Sequence, residues 1–233
     1  QVQWKIPRGH HSIAKAEDGS FWVSSISEGR QTKSEKYPEG FPGLDKPVYL
    51  DKIHHVAEDG EILQTINVLD VLYSNGLQRY IPRAYSNGEI DPDITHLNDV
   101  EPLKSSMEEE YPLFDAGDLV ASVKHLNLVF VFDPESKEVK WHATSPFIGQ
   151  HDPDFMGNGW IGIFDNRTDP TTRGTMLGGS RIVALQPHTD STEVLFPTPS
   201  SYAFYTPAAG KWQKLENGNM LLTEAFAGRV LEV

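Results

Sequence analysis

Cysteine is absent from the 233-residue chain, which excludes a disulfide framework, a thiolate zinc site and a cysteine nucleophile. Long apolar runs are missing too, and none approaches the roughly 20 residues that a helix needs to span a bilayer. Basic residues are few, 20 against 33 acidic ones, and the formal net charge is −13. Because nucleic acids and anionic membranes attract basic surfaces, we predict no nucleic-acid partner and no membrane contact from this segment.

Helical periodicity is nearly absent as well. The stretch INVLDVLYSNG (residues 66–76) is the one place where the pattern predicts a short helix. With 38% hydrophobic and 10% aromatic residues, the chain has the composition of a globular protein, and its length fits one domain or one repeat array. The near absence of helical patterns together with the many β-type runs predicts the all-β class. The chain begins with Gln1 rather than Met, and we interpret it as a processed or trimmed product that could have lost an upstream targeting segment.

Short β-type runs alternate with turn signals along the chain. Asn-Gly and Asp-Gly pairs between apolar runs are strong hairpin signals. Such pairs, with one Ala-Gly, occur at Asp18-Gly19, Asp59-Gly60, Asn87-Gly88, Ala116-Gly117, Asn158-Gly159 and Asn217-Gly218. The predicted strands are SFWVSSI, PVYLDKIHHV, EILQTINVL, DLVASVKHL, LVFVFD, EVKWHA, WIGIFDN, SRIVALQ, TEVLFPT, NMLLTEA and RVLEV.

A repeat becomes visible when these segments are aligned. HSIAKAEDGSFWVSS (11–25) matches HDPDFMGNGWIGIFD (151–165), each with a histidine eight residues before the turn glycine. GKWQKLENGNMLLTE (210–224) follows the same frame with Gly210 in the histidine position, and HLNDVEPL (96–103) begins in the same way before an insertion. Four-stranded units of this kind, about 40–60 residues long, are typical of β-propeller blades.

We therefore predict a single β-propeller domain or segment over residues 1–233, with about four recognisable four-stranded blades. The blades are expected at residues 8–70, 96–145, 151–198 and 208–233. Residues 1–7 are expected to form a spare outer strand, because VQWKIP resembles EVKWHA and the last unit lacks its outer strand. Either the two ends complete one blade, or the chain is part of a larger propeller, and we favour the second interpretation.

Histidines stand at the start of the first strand in three units, as His11, His96 and His151. Propellers place the first strand of each blade on the central channel, so we predict that these side chains converge on one site. The alternative is that each is a surface or hydrogen-bonded structural histidine. Polar residues follow them at Asn98, Asp99 and Asp152. A carboxylate there would fix a histidine tautomer, or would simply cap a turn.

Several blocks closely resemble the arylsulfotransferase-like propeller family, particularly its less characterised relatives. They are DPDITHLNDVEPL, DLVASVKHLNLVFVFDPESKEVKW, QHDPDFMGNGWIGIFDN, GSRIVAL and FYTPAAGKWQKLENGNMLLTE with GRVLEV. The resemblance implies a six-bladed propeller, of which about two blades would be missing here, in an exported or membrane-tethered protein. It also implies a transferase, independent of the sulfate carrier PAPS, that moves a sulfuryl group from a phenolic sulfate to a phenol without a cofactor or metal. We expect a periplasmic or extracellular location.

The resemblance also assigns roles to the histidines. His151 resembles the nucleophile that forms a sulfohistidine intermediate. His96 and one histidine of the His10–His11 pair resemble the residues that bind sulfuryl oxygens or handle the phenol proton. We select His11 from its eight-residue spacing and keep His10 as a binding residue, together with Asn98, Asp99 and Asp152.

One departure from the family concerns the cation. The family has an arginine in the strand written here as ASVKHLNLV, where this chain has Lys124. Lysine keeps the positive charge but lacks the planar fork that grips two sulfate oxygens. Arg181 in GSRIVAL is a candidate substitute, and the alternative is a surface arginine at a strand end.

Two other functions remain open. A metal-dependent hydrolase or lactonase is suggested by DPDITHLND, which carries Asp91, Asp93, His96, Asn98 and Asp99 within nine residues. A non-catalytic propeller that binds a ligand or protein is suggested by the acidic surface and by the insertion SSMEEEYPLF. The sequence names neither donor nor acceptor and does not indicate the oligomeric state.

Overall fold

The computed structural model describes residues 4–81, 91–202 and 204–233, so residues 1–3 and the predicted Asn87-Gly88 turn lie outside the described residues. This part of the chain forms four antiparallel sheets, three with four strands and one with three. The first contains β1 (Gly9–Lys15), β2 (Phe21–Ile26), β3 (Asp51–Val56) and β4 (Ile62–Asn67). The second contains β5 (Leu97–Pro102), β6 (Leu119–Val123), β7 (Leu128–Phe132) and β8 (Val139–Ala143). The third contains β9 (His151–Gly157), β10 (Trp160–Asp165), β11 (Arg181–Gln186) and β12 (Ser191–Phe196). The fourth contains β13 (Trp212–Lys214), β14 (Met220–Glu224) and β15 (Arg229–Glu232).

The sheets are arranged as propeller blades, and the predicted all-β class is confirmed. Every strand predicted from an apolar run is present. The predicted short helix is also found, as α1 (Val68–Ser74), which begins where the Asn67 side chain accepts a hydrogen bond from the Leu69 N–H at 3.0 Å. None of the helices in the described residues is both long and apolar enough to cross a membrane.

The first strands of the first three sheets lie side by side nearest the centre, since β1 packs against β5 and β5 against β9. Hydrophobic clusters fill the space between successive sheets. The strands β6 and β7 are buried at every residue because a sheet covers each of their faces. Burial of one large apolar side chain contributes about 1.5–3 kcal/mol, so these clusters hold neighbouring blades at fixed positions.

The N-terminal segment differs from the expected outer strand in the part that is described. Residues 4–7 are not in a strand. The Trp4 ring instead packs on Phe21 at 5.6 Å between centroids, and its indole N–H donates to the Glu58 carbonyl at 3.0 Å. A turn follows in which the Gly9 N–H donates to the Ile6 carbonyl at 3.3 Å, and this turn leads the chain into β1.

The acidic insertion between β5 and β6 packs on the third sheet. It forms a 3₁₀ turn (Ser105–Glu110), and the following Tyr111 is buried. The Tyr111 hydroxyl donates to the Trp160 carbonyl at 2.7 Å and accepts from the Gly157 N–H at 2.9 Å. The insertion therefore joins the second and third blades.

Candidate active site

Four histidines stand in a row at one end of the first two sheets. The ring centroids of His10 and His11 are 4.8 Å apart, those of His11 and His96 4.9 Å, and those of His96 and His125 4.6 Å. His10 and His11 belong to β1, His96 directly precedes β5, and His125 follows β6 in a short 3₁₀ turn. The backbone φ is 58° at His11 and 52° at His96, and these left-handed conformations bend the chain at the start of both strands.

The strand register shows which blade positions are equivalent. In each sheet, the residue three positions after the turn glycine pairs with one residue of the first strand. These first-strand residues are Ala14, Glu101, Asp154 and Gln213. Three positions before them stand His11, Asn98, His151 and Gly210. His11 and His151 are therefore equivalent, whereas His96 precedes its blade's equivalent residue by two positions and approaches His11 through the bend in its backbone.

His151 is held as a neutral imidazole. It is 7% exposed, and its Nδ1 lies 2.7 Å from Oδ1 of Asn166 and 3.1 Å from the Gly149 carbonyl oxygen. Its Nε2 accepts a hydrogen bond from the Ala209 N–H at 3.2 Å. Acceptors at Nδ1 and a donor at Nε2 select the tautomer with the proton on Nδ1 and the lone pair on Nε2. Burial lowers the pKa of His151 to about 4, against the opposing effect of the Asn166 hydrogen bond.

Lys124 and His11 lie close enough to His151 for their charges to lower its pKa further. Within the described residues, the half-buried Lys124 ammonium has no hydrogen bond or ion pair. Although His11 keeps an exposed face, the loss of water around its ring lowers its pKa to about 4, with added effects of His10 and His96. An unpaired cation beside neutral imidazoles is an arrangement that suits an anionic ligand.

A buried carboxylate that no sequence motif marks, Asp51, faces this row. It is 1% exposed, and its Oδ2 accepts hydrogen bonds from the Thr95 hydroxyl at 2.6 Å and the Leu97 N–H at 2.7 Å. Its Oδ1 lies 3.7 Å from Nε2 of His10, and both atoms are buried without a hydrogen-bond partner in the described part of the chain. The only signal in the sequence was an aspartate within the apolar run PVYLDKIHHV.

Asp93 links His96 to His125, a histidine that the repeat does not mark. Oδ2 of Asp93 lies 2.5 Å from Nδ1 of His96, and the Asp93 carbonyl oxygen lies 2.5 Å from Nδ1 of His125. Burial acts to raise the pKa of Asp93, but hydrogen bonding to His96 and the charges of both histidines outweigh it, and the pKa lies below its ordinary value. The only feature of the sequence that indicated a place for His125 in this cluster is that it directly follows Lys124.

Asp99 and Asp152 bind the central strands together. The residue that directly follows the position equivalent to His11 differs between the four blades. It is Ser12, Asp99, Asp152 and Lys211 in turn. The Lys211 ammonium lies 3.2 Å from Oδ1 of Asp99 and also donates to Oδ1 of Asp152, whose Oδ2 accepts from the Trp212 N–H at 2.7 Å. Burial raises the pKa of both carboxyls, that of Asp99 to about 7. Their partners are thus Lys211, which directly precedes β13, and Trp212 at the start of that strand, and Asn166 rather than Asp152 sets the tautomer of His151.

A family match covers all four sheets and the whole histidine cluster. A sequence model described as arylsulfotransferase (ASST) matches residues 8–233. The chain belongs to the arylsulfotransferase family. The resemblance inferred from its sequence blocks is therefore confirmed. The match includes the first-sheet strand with the His10–His11 pair and extends to the last residue, so every predicted site residue of this arylsulfotransferase-family protein lies within it.

Solved structures similar to this arylsulfotransferase-family chain share little sequence with it. A protein of unknown function from Bacteroides caccae has a TM-score of 0.48 and 12% identity, over 96% of this chain and 77% of that chain. A catalytically inactive virginiamycin B lyase from Staphylococcus aureus with quinupristin has a TM-score of 0.43 and 9% identity, over 97% and 69%. A streptogramin B lyase has a TM-score of 0.40 and 12% identity, over 99% and 70%. No curated protein matches the chain.

The other predicted binding residues have partners of their own. The Arg181 guanidinium bonds to Oδ2 of buried Asp165 at 2.7 Å and to the Pro146 carbonyl at 2.6 Å. The Asn98 amide donates to the Gln150 carbonyl at 2.7 Å. The predicted set therefore divides in two. One cluster is formed by His10, His11, His96, His151 and Lys124, while separate contacts hold Asn98, Asp99, Asp152 and Arg181.

A cavity of about 530 Å³ opens at the opposite end of the first two sheets, where Lys15, Trp22 and His55 are among its lining residues. It lies beyond the ends of β1 and β5 that are remote from His11 and His96. We place the candidate active site of this arylsulfotransferase-family protein at the histidines, because there the neutral imidazoles and an unpaired ammonium group converge.

Proposed function

We propose that this protein is an aryl-sulfate sulfotransferase that moves a sulfuryl group from a phenolic sulfate to a phenol through a sulfohistidine at His151. Membership of the arylsulfotransferase family supports sulfuryl transfer in general. The observation that carries the finer proposal is the state of His151, a neutral imidazole with its lone pair on Nε2 beside the unpaired Lys124 ammonium. We also propose, as the resemblance implies, that the enzyme acts in the periplasm or outside the cell.

In the first half-reaction, the Nε2 lone pair of His151 attacks the sulfur of the donor. The N–S bond forms, the S–O bond to the aryl group breaks, and the phenolate leaves with that electron pair and takes a proton from water. Nε2 must exchange the hydrogen bond from Ala209 for the sulfur, so a small movement of this backbone accompanies the attack. Lys124, whose charge reaches His151, and His96, which contacts His11, would stabilise the sulfuryl oxygens.

In the second half-reaction, the acceptor phenol attacks the same sulfur. A new S–O bond forms, the N–S bond breaks, and the electron pair returns to Nε2 of His151. The phenol proton passes to an imidazole of the His10–His11 pair, which is close to the nucleophile. Asp51 would stabilise the imidazolium that forms at His10, because its free carboxylate oxygen lies 3.7 Å from Nε2 of that residue.

The test is incubation of the full chain with 4-nitrophenyl sulfate as donor and phenol as acceptor. We expect release of 4-nitrophenol, formation of phenyl sulfate, and a sulfuryl adduct on His151 detected by mass spectrometry after incubation with donor alone. His151→Ala should lower transfer at least about 1000-fold, as removal of a nucleophile does in other covalent mechanisms. His188→Ala, at an exposed histidine in the turn after β11, is the matched control and should leave the rate unchanged.

Other outcomes assign a different function. Absence of both turnover and adduct in the folded wild-type protein would contradict sulfuryl transfer and favour the non-catalytic binding propeller. Hydrolysis of lactone or ester substrates that a chelator abolishes would favour the metal-dependent hydrolase instead.

A further inference from the structure

Three metal-ligating side chains lie together at the end of the histidine row. One donor atom each from Asp93, His96 and His125 lies within 4.8 Å of the other two. The side chains come from separate parts of the chain, since Asp93 and His96 precede β5 while His125 follows β6. Of the residues in DPDITHLND, only Asp93 and His96 take part. His125 completes the group through the fold rather than through the sequence.

The chemistry of this donor set suits a transition metal. Two imidazoles and one carboxylate are ligands that zinc and neighbouring divalent ions accept, and three protein ligands leave a coordination position open. The centroids of His96 and His125 are 4.6 Å apart and the rings are inclined by 28°, so one donor atom of each ring lies within reach of the same ion. The side chains of His96 and Asp93 are 23% and 29% exposed and His125 is exposed, so an ion can enter from solvent.

The second close group of ligating residues has a different character. Asp99, Asp152 and Asp154 also lie within 4.8 Å of one another. The Lys211 ammonium already bonds to two of these carboxylates, which supplies the positive charge that a metal would bring. Among the described residues, no ammonium group bonds to the Asp93 carboxylate, which is bonded to a histidine ring instead.

We propose that Asp93, His96 and His125 bind one divalent transition-metal ion of the zinc class. Ligation replaces the present contact between Oδ2 of Asp93 and Nδ1 of His96, and the single proton of the neutral His96 ring then stands on Nε2. The ion's ligand His96 contacts His11, and its ligand His125 directly follows Lys124 in the chain. The ion therefore adds positive charge to the side of the cluster that already carries a cation.

The test is zinc binding by isothermal titration calorimetry, on full chain treated with EDTA and dialysed, with zinc chloride as the probe. We expect one ion per chain for the wild type. His125→Ala and Asp93→Asn each remove one of three ligands, so the affinity should fall at least about 100-fold. Because His125 is exposed, its replacement leaves the fold intact, which circular dichroism and urea unfolding verify.

Two controls separate this site from other zinc binding and from the proposed transferase. His188→Ala removes an exposed histidine elsewhere and should bind zinc as the wild type does. His151→Ala should lose sulfuryl transfer and keep zinc binding, so either proposal can fail while the other stands. Wild-type protein that binds no zinc, or His125→Ala protein that binds it with unchanged affinity, would overturn the metal site.

Discussion

Replacing Lys211 with methionine removes the cation that bridges two buried carboxylates at the centre of the blades. The Lys211 ammonium lies 3.2 Å from Oδ1 of Asp99 and also donates to Oδ1 of Asp152. Both carboxyl side chains are 3% exposed. Methionine keeps the length of the side chain but not the charge, so the two carboxylates would face each other without compensation.

The loss of stability expected for Lys211→Met depends on the burial of the ion pair and on the protonation of Asp99. Breaking a fully buried pair costs about 3–5 kcal/mol of the free energy of unfolding. Lys211 is 58% exposed, so solvent screening lowers the expected loss to about 2–3 kcal/mol at pH 8. Burial raises the pKa of Asp99 to about 7, so a proton can replace the lost cation at lower pH. At pH 6 we therefore expect a loss of about 1 kcal/mol.

The direction of the pH dependence is set by the difference in proton binding between the folded and the unfolded chain. The pKa of Asp99 in the folded state, about 7, lies above the ordinary value of 3.8 expected when the chain is unfolded. Between these values the folded state binds more protons, so the contribution of Asp99 to stability falls as the pH rises through this window. Loss of Lys211 raises the folded pKa further and extends the window upward. The substitution must therefore cost more at pH 8 than at pH 6.

The assay is urea unfolding of wild type and Lys211→Met at both pH values, followed by tryptophan fluorescence. Lys214→Met is the matched control, because Lys214 is an exposed lysine three residues after Lys211, at the end of β13. It should change the free energy of unfolding by less than about 0.5 kcal/mol. A Lys211→Met protein that is as stable as the control variant at pH 8, or that loses more stability at pH 6 than at pH 8, would contradict a stabilising role for this cation.

Three further predictions test the site and its support. Nitrogen-15 NMR of His151 should show the proton on Nδ1 and a pKa near 4, whereas a pKa near 6.5 would contradict the effect of burial. The contribution of His151 to the free energy of unfolding should rise with pH between about 4 and 6.5, because the unfolded state binds more protons at this group in that range. Asn166→Ala should mix the tautomers in the same spectra and cost about 1–3 kcal/mol in urea unfolding, because the Asn166 amide also donates to the carbonyls of buried Thr206 and of Ala209. A single retained tautomer would be the contrary result. Gly162→Ala should cost about 1–3 kcal/mol, since the new Cβ would meet the buried Trp212 ring at 2.2 Å and the Met156 sulfur at 2.7 Å; wild-type stability would contradict the packing described.

Local patterns were sufficient for the fold because blade strands are specified by short-range signals. An apolar run such as LVFVF must be buried on both faces, and a turn glycine such as Gly19 fixes where the hairpin reverses. The equivalence of His11 and His151 followed from the same counting, and the strand register agrees with it. The position of His96 could not be predicted by this counting. It depends on a left-handed bend two residues before the equivalent position of its blade, and residue spacing does not reveal such a bend.

The sequence by itself determined the class of fold, the family and the histidine pair at equivalent positions, since these depend on periodicity, turn chemistry and contiguous motifs. Only the tertiary structure brought Asp51 to His10, His125 to Asp93, and Lys211 to Asp99 and Asp152. These contacts join residues far apart in the chain, so their existence depends on how the blades pack. Whether a polar side chain is a ligand, a base or a structural partner is decided by its burial and neighbours, and both arise only on folding.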